Sequence, residues 1–403
     1  MRFPTFPRKT FGHSAVGSTS FGLTHGTSKL KKTLVPAGSM PPLAGQTRTL
    51  KPVVAHPFFP NFDIGPTMIT RLSLLCAFVP LCAPFFLLAA DVAPAKKMSG
   101  EVKYAPAKDE TGIPDRFKLD AHTFAYEGTR FPLESKTLEI WEVTFPSPVK
   151  TSSEINNTVH CEYYRPKGLA EGKKAPGVVV LHILGGDFQL SRLFCNNLAQ
   201  RGVAALFLKM PYYGPRRDPA SPRRMISPKP DETIEGMTQA VLDIRRGAAW
   251  LAAREEVNPE ELGIFGISLG GITGALAATA EPRLKNVCLL LAGGDLGKVV
   301  IESKEIEKYK KEFGTVPDKE EFLAKLKVID PVTYGANAKG RRILMMNAKS
   351  DEIIPKACTE SLWKCFGEPP IHWYEGGHYS VAWHLIDALD KTGQFFAVGE
   401  KIP

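Results

Sequence analysis

The residues Gly266-Ile267-Ser268-Leu269-Gly270 form a G-x-S-x-G pattern between two runs of different character. The preceding run, 262–265, is short and apolar, which is typical of a buried strand. The following run, 272–280, is rich in alanine and predicts a helix built from small residues. A sharp turn from strand to helix brings the two backbones close together, and the glycines of the pattern provide the space. The pattern therefore predicts that Ser268 lies on such a turn with its hydroxyl exposed, as a candidate nucleophile.

Two further candidate residues follow apolar runs later in the chain. Residues 343–347 predict another buried strand, and Asp351 follows it shortly before a proline that opens the next helix. Residues 371–374 predict the last strand, and His378 follows them on a Glu-Gly-Gly turn. The chain order is therefore Ser268, then Asp351, then His378.

In these features, residues from about 135 to 400 resemble an α/β-hydrolase, which has the same chain order of serine, acid and histidine. The most similar branch is that of the compact esterases and dienelactone-hydrolase-like proteins. The dienelactone hydrolases proper use a cysteine nucleophile, whereas this chain has Ser268. That difference argues against the dienelactone reaction and for hydrolysis of a general carboxylic ester.

The resemblance implies a role for each candidate. Ser268 would attack the carbonyl, and His378 would remove its proton and then protonate the leaving alcohol. Asp351 would hold the imidazole tautomer and stabilise the imidazolium. Taken singly, these residues would also fit a helix cap or a surface turn. Together, in this order and after three strand-like runs, they predict a catalytic triad.

The loop after the strand-like run 177–181 is the second part of the predicted site. In α/β-hydrolases this loop donates one backbone N–H to the oxyanion, and the residue after the nucleophile donates the other. By position the donors are Ile183, with Leu184 as an alternative, and Leu269. We expect His182 to brace this loop and Asp187 to cap the following helix, rather than to react.

From residue 178 onward, apolar strand-like runs alternate with helix-like runs. This predicts an α/β-hydrolase fold with a mostly parallel central sheet, helices on both faces and two inserted cap segments. Half-exposed edge strands are expected at 138–143 and 159–164. The cap segments are 210–230 and about 297–327, and both follow carboxyl ends of strands, where sites of open α/β sheets lie.

The first cap segment contains candidate substrate contacts. Tyr212 and Tyr213 are expected in the pocket wall. Arg216 or Arg217 is expected to bind an acidic group on the substrate, because a guanidinium matches a carboxylate in shape. The alternative is that both arginines pair with local acids or brace the loop.

The amino-terminal part of the chain predicts export. A positive start at Met68, an apolar core and a small-residue end at Ala90 make residues 68–90 a candidate signal peptide, with a membrane anchor as the alternative. Residues 1–67 are then a mis-assigned extension or a disordered basic tail, and 91–134 a polar linker and N-terminal segment before a catalytic domain at 135–403. We expect a secreted or periplasmic protein without stable membrane insertion after processing.

Charge and cysteine content restrict the partners. The net charge is +9, but residues 1–67 and Arg71 account for all but about +1 of it. The high pI therefore does not predict nucleic-acid binding, and no nucleic-acid motif is present. After residue 90 the five cysteines 161, 195, 288, 358 and 365 have no zinc-like spacing, so no metal is expected, and no disulfide can be assigned. Cys195 and Cys288 are expected to be buried.

The sequence thus predicts a secreted serine hydrolase that needs no cofactor and cleaves a small-molecule or carbohydrate ester. A peptidase or amidase of the same fold is the alternative among enzymes. A catalytically silent binding protein is the alternative outside them, although such a scaffold has no need to retain all three triad residues. The oligomeric state does not follow from the sequence.

Overall fold

The computed structural model describes residues 95–133, 135–186, 188–303 and 319–397. The predicted extension 1–67, the predicted signal 68–90 and the predicted helix cap Asp187 lie outside these ranges. Every helix within the described ranges is too short or too polar to cross a membrane.

The described residues form one mixed sheet of ten strands in the order β1-β2-β3-β4-β6-β5-β7-β8-β9-β10. Strands β1 to β4 and the β4–β6 pair are antiparallel, and the pairs from β6 through β10 are parallel. The strands are β1 Lys97–Tyr104, β2 His122–Arg130, β3 Leu138–Pro146, β4 Thr158–Pro166, β5 Ala175–Leu181, β6 Ala204–Leu208, β7 Val257–Ile267, β8 Asn286–Leu290, β9 Arg342–Ala348 and β10 Ile371–Tyr374.

Helices cover both faces of this sheet. They are α1 Phe188–Gln200, α2 Pro230–Ala252, α3 Leu269–Ala280, α4 Leu296–Glu302, α5 Lys319–Leu326, α6 Lys356–Cys365 and α7 Leu385–Phe396. Successive side chains of a strand point to opposite faces. Val178 and Val180 of β5 accordingly share a core with residues of α1 and α7, while Val179 and Leu181 share one with α2 and α3. The predicted parallel sheet covered on both faces is confirmed.

The strand order determines where a site can form. After β5 the chain crosses through α1 to β6 on one side, and after α2 it returns to β7 on the other side of β5. In open α/β sheets such a reversal leaves a crevice at the carboxyl ends of the two strands. Ile183 follows β5 and Ser268 follows β7, so both lie at this crevice.

Segment 91–134 differs from the predicted linker, because it contributes β1 and β2 to the sheet. Phe117 and Phe124 of this segment are buried in the main core. Few side chains of β1 are buried, and its charged residues hide the strand pattern in the sequence. The expectation that β3 and β4 are edge strands was wrong for the same reason, since β1 and β10 form the two edges.

The two predicted cap segments are described to different extents. The first, 210–230, is irregular up to the start of α2 at Pro230, apart from a short 3-10 turn at Gly214–Arg216. The second includes α4 and α5, as predicted for charged helices, while its residues 304–318 are outside the described ranges. Lys325 of α5 forms an ion pair with Asp231 at the start of α2, with 3.1 Å between Nζ and Oδ2.

The cysteines of the described residues are all free thiols. Cys195 and Cys288 are fully buried, which confirms the prediction that they pack as small apolar residues. Burial also raises the pKa of the Cys288 thiol to about 12, so this thiol stays protonated near neutral pH.

Candidate active site

Ser268 lies on a sharp turn between β7 and α3. Its backbone has φ 55° and ψ −116°, a conformation that is costly for any residue with a Cβ. A Cβ at Gly266 would clash with the backbone of Gly270, and one at Gly270 would lie 2.7 Å from the carbonyl oxygen of His182. The small residues of the pattern thus permit the close contact between strand and helix that holds Ser268 in this strained position.

Two later loops bring His378 and Asp351 to Ser268. The Oγ atom of Ser268 lies 2.9 Å from Nε2 of His378. The Nδ1 atom of the same ring lies 2.8 Å from Oδ2 and 3.0 Å from Oδ1 of Asp351. All three residues are buried, which strengthens electrostatic interactions among them. Side chains from three separate carboxyl ends of the sheet, β7, β9 and β10, therefore form one hydrogen-bonded chain.

Backbone groups fix the carboxylate of Asp351. Its Oδ1 accepts hydrogen bonds from the backbone N–H groups of Ile353 and Ile354, at 2.9 and 2.8 Å. Such bonds favour the charged carboxylate and restrict its rotation. Asp351 is thus positioned to hold a proton on Nδ1 of His378 and leave Nε2 free to accept one from Ser268.

The histidine loop is held by two residues that the sequence prediction did not include. Glu352 accepts a hydrogen bond from the backbone N–H of His378, at 3.0 Å from Oε2. The hydroxyl of Ser380 accepts one from the backbone N–H of Gly377, at 2.7 Å. A Cβ at Gly377 would clash with the Glu352 carboxylate, so a larger residue there would displace that side chain. The adjacency of Glu352 to Asp351 was the available sequence signal for its role.

His182 braces the loop after β5. The backbone N–H of Met210 donates to Nε2 of His182 at 3.1 Å, so the proton of the neutral ring lies on Nδ1, 2.8 Å from the carbonyl oxygen of Ile183. Burial lowers the pKa of His182 to about 4, which keeps the ring neutral and this pattern intact. The expected structural role of His182 agrees with these contacts.

The two expected oxyanion donors lie on either side of the crevice. Leu269 is the first residue of α3, and the first N–H groups of a helix have no partner within the helix. The carbonyl of Ile183 is bound to His182, so the plane of the Ile183–Leu184 peptide is fixed. In a trans peptide the N–H of Leu184 points opposite to that carbonyl. Ile183 is the candidate for the second donor, with Leu184 as the alternative.

The two tyrosines of the first cap segment have different surroundings. Tyr212 is buried at φ 64°, and its backbone N–H donates to Oδ1 of Asn156 at 3.0 Å. The guanidinium of Arg223 lies 4.8 Å from its ring centre. Tyr213 is half-buried, and its ring packs edge-on at 4.6 Å against the ring of His182. Tyr213 thus contacts the histidine that braces the loop after β5.

Arg216 does not face the crevice, and the prediction that it binds substrate was wrong. Its side chain is fully buried and lies 2.8 Å from Oδ2 of Asp243, which is fully buried as well. Its nitrogens also donate to the carbonyl oxygens of Asn156 and Lys209, at 2.7 and 3.1 Å. The guanidinium is thus used within the protein, and its role is to brace the loop. Arg217 is exposed, and its predicted substrate contact stays a prediction.

Comparison with known proteins gives the same architecture. The model of a family described as alpha/beta hydrolase domain containing 18 matches residues 133–298. The structure of an acetyl xylan esterase from Paenibacillus sp. R4 superimposes with a TM-score of 0.54 and 20% identity, covering 67% of this chain and 88% of that one. The fold is that of an α/β-hydrolase. At this identity the comparison speaks for the shared hydrolase fold and not for a shared substrate.

Relatives in sequence match less than half of the chain. An uncharacterized protein of Mycobacterium tuberculosis, found in two strains, is 28% identical over 180 residues. The match covers 44% of this chain and 42% of that protein, so the chain spans less than half the length of the curated relatives it matches.

Other features of this hydrolase fold lie apart from the crevice. A cavity of about 350 Å³ is lined in part by Lys285 and Arg341, which directly precede β8 and β9. It therefore lies at the amino ends of the strands, opposite the candidate site. Within the described residues, no cluster of three or more His, Cys, Asp or Glu side chains has a metal-binding arrangement.

Proposed function

We propose that this α/β-hydrolase cleaves carboxylic esters through an acyl-enzyme on Ser268. The observation that supports the proposal is the continuous chain of hydrogen bonds from the strained Ser268 through His378 to Asp351. A serine hydroxyl becomes a useful nucleophile when a base lies within hydrogen-bond distance of it and a third group orients that base. Both conditions are met by the distances among these residues.

The first half of the reaction forms the acyl-enzyme. As Oγ of Ser268 attacks the ester carbonyl, its proton passes to Nε2 of His378, and the carbonyl electrons move onto oxygen. The oxyanion receives hydrogen bonds from backbone N–H groups of Leu269 and of the loop at Ile183 and Leu184. When the tetrahedral species collapses, the bond to the alkoxy oxygen breaks and His378 returns the proton to that oxygen. The alcohol leaves, and the acyl group stays on Ser268.

The second half repeats these steps with water. His378 takes a proton from water, the hydroxide adds to the acyl carbonyl, and collapse returns the proton to Oγ of Ser268. The products are the carboxylic acid and the free serine. Backbone donors suit the oxyanion because they are in place before the charge develops, and they contribute about 3 kcal/mol each in comparable sites. The strained backbone of Ser268 serves the same purpose, because it keeps Oγ at the crevice.

Substitution of Ser268 tests the proposal. We expect Ser268→Ala to lower kcat for acetate esters by at least about 10⁴-fold, because the three residues act as a unit. A fluorophosphonate probe should label the wild-type protein at Ser268 and leave the variant unlabelled. Ser268→Gly should be equally inactive and should melt at a higher temperature than Ser268→Ala, since glycine relieves about 1–3 kcal/mol of backbone strain.

Three results would contradict the ester reaction. Wild-type turnover in pure Ser268→Ala protein would remove the nucleophile from the mechanism. Hydrolysis of matched amides at rates similar to those of the esters would favour the amidase alternative. Probe labelling without turnover of any ester would favour a silent binding protein.

A further inference from the structure

Three large apolar side chains that closely follow His378 in the chain project into solvent. Tyr379, Trp383 and Ile386 are 62%, 89% and 84% exposed. Single apolar residues at a surface are common, but a contiguous group next to a reactive side chain marks a binding surface. We refer to these three residues as the apolar ledge.

The ledge belongs to one short helical segment. Tyr379 caps the 3-10 turn Ser380–His384, Trp383 lies within that turn, and Ile386 is the second residue of α7. The three-residue spacing from Trp383 to Ile386 places these two side chains on a common face. Two residues between them point the other way: Val381 is buried, and the ring of His384 stacks at 4.9 Å on that of Tyr374. The exposure of the ledge therefore results from a well-packed opposite face.

The ledge is continuous with the catalytic histidine. The ring of Tyr379 packs edge-on against that of His378, with 5.6 Å between the ring centres. Seven helical steps lead from Tyr379 to Ile386, so the ledge extends roughly 10–14 Å along this segment. In the proposed reaction His378 protonates the leaving oxygen, so the alcohol part of the ester lies beside this ring.

On the basis of the proposed function, we infer that the ledge binds the alcohol part of the substrate, and that this alcohol carries a flat, ring-bearing apolar body. The exposed faces of Tyr379 and Trp383 suit stacking with planar groups, and Ile386 extends the apolar surface. The body that fits is about two rings long, which matches the span of the ledge. The acyl group lies on the other side of the scissile bond and does not contact the ledge.

Two other occupants fit the ledge less well. Three side chains of this type expose roughly 500 Å², less than the ~800 Å² per partner of a standard protein interface. An anionic membrane would require a surplus of basic residues nearby. Instead, the adjoining charges are paired, Lys391 with Asp387 at 2.6 Å, and Lys349 with Glu375. A small neutral ligand is the occupant that these areas and charges favour.

Acetate esters that differ only in the alcohol test the inference by hydrolysis. The substrates are ethyl acetate and 2-(2-naphthyl)ethyl acetate, whose alcohols have similar acidity, and the variants are Trp383→Ala and Ile386→Ser. Each variant should lower kcat/KM for the naphthyl ester by about 10-fold and leave that for ethyl acetate within twofold. Leu193→Ala, at an exposed leucine of α1, is the matched control and should change neither.

A binding measurement separates the ledge from the chemistry. In Ser268→Ala protein, 2-(2-naphthyl)ethanol should bind saturably and quench tryptophan fluorescence, and Trp383→Ala in the same background should abolish this binding. No saturable binding, or equal loss of kcat/KM for both acetates in the ledge variants, would overturn the inference. So would a wild-type dimer that dissociates on Trp383→Ala, or binding to neutral phosphatidylcholine vesicles that is lost on that change. Binding of the alcohol without hydrolysis of either acetate would overturn the esterase proposal and leave the ledge as a binding site.

Discussion

Arg216 and Arg217 are adjacent residues of the same type that differ completely in burial. Both belong to a basic, proline-rich stretch, and both carry a group that binds carboxylates. Arg216 is buried against Asp243, whereas Arg217 is exposed. Burial raises the pKa of Asp243 and the charge of Arg216 opposes that shift, so the two depend on each other inside the protein. A positive charge in a cap segment therefore identifies a substrate contact only when its burial is known.

The matched substitutions Arg216→Lys and Arg217→Lys test this assignment. Lysine cannot make the several hydrogen bonds of the Arg216 fork, so we expect Arg216→Lys to destabilise the protein by about 3 kcal/mol, measured by urea unfolding. Arg217→Lys, at an exposed position, should stay within about 0.5 kcal/mol of wild type. If Arg216→Lys kept wild-type stability and lost activity on acidic esters alone, the assignment of Arg216 as a buried residue that braces the loop would be wrong.

Among the elements, the loop between β10 and α7 contributes to both the proposed active site and the proposed substrate contact. It carries His378 and the first two residues of the apolar ledge, Tyr379 and Trp383. Its backbone is tied to the loop after β9, both through Glu352 and through the hydrogen bond from the N–H of Ser350 to the carbonyl of Gly376, at 3.0 Å. Asp351 and His378 are thus held together by their side chains and also by the backbones of their loops.

Substitutions of Glu352 test this second connection. Without the acceptor at the His378 N–H, the imidazole shifts relative to Ser268, and a shift of about 1 Å can cost up to 10²-fold in rate. We expect Glu352→Ala to lower kcat for ethyl acetate by about 10-fold with little change in KM. Glu352→Gln keeps an acceptor oxygen and should recover most of the activity. Glu360→Ala, at an i, i+4 surface ion pair of α6, is the control and should leave kcat and KM unchanged. A rise in KM at constant kcat would show that Glu352 acts on substrate binding instead.

At the scale of the whole molecule, the antiparallel strands β1 and β2 extend the parallel sheet. They supply Val102 and Phe124 to the main core, and Glu110 between them forms an ion pair with the buried Arg245 of α2. Arg245 also pairs with Glu281 at 3.2 Å, and that carboxylate is buried. Removing this segment would expose apolar core and leave a buried cation with fewer partners, which is a costly combination.

Two truncated forms test the extent of the folded unit. We expect a protein that starts at residue 91 to unfold cooperatively and to hydrolyse ethyl acetate. One that starts at residue 135 should be insoluble or should lack a cooperative transition by circular dichroism. A stable and active protein beginning at residue 135 would show that β1 and β2 are dispensable, and would restore the linker expected from the sequence.

The sequence by itself determined the elements whose patterns are local. The apolar runs of β5 to β10, the strand-to-helix turn at Ser268 and the order of Ser268, Asp351 and His378 all follow from neighbouring residues. Only the tertiary structure decided which polar residues became buried and which apolar residues stayed exposed. Arg216 is buried by contacts with Asp243 and Asn156 from other parts of the chain, whereas Trp383 stays 89% exposed. Burial is a property of contacts between elements, and the pattern within one element does not encode which face another element will cover.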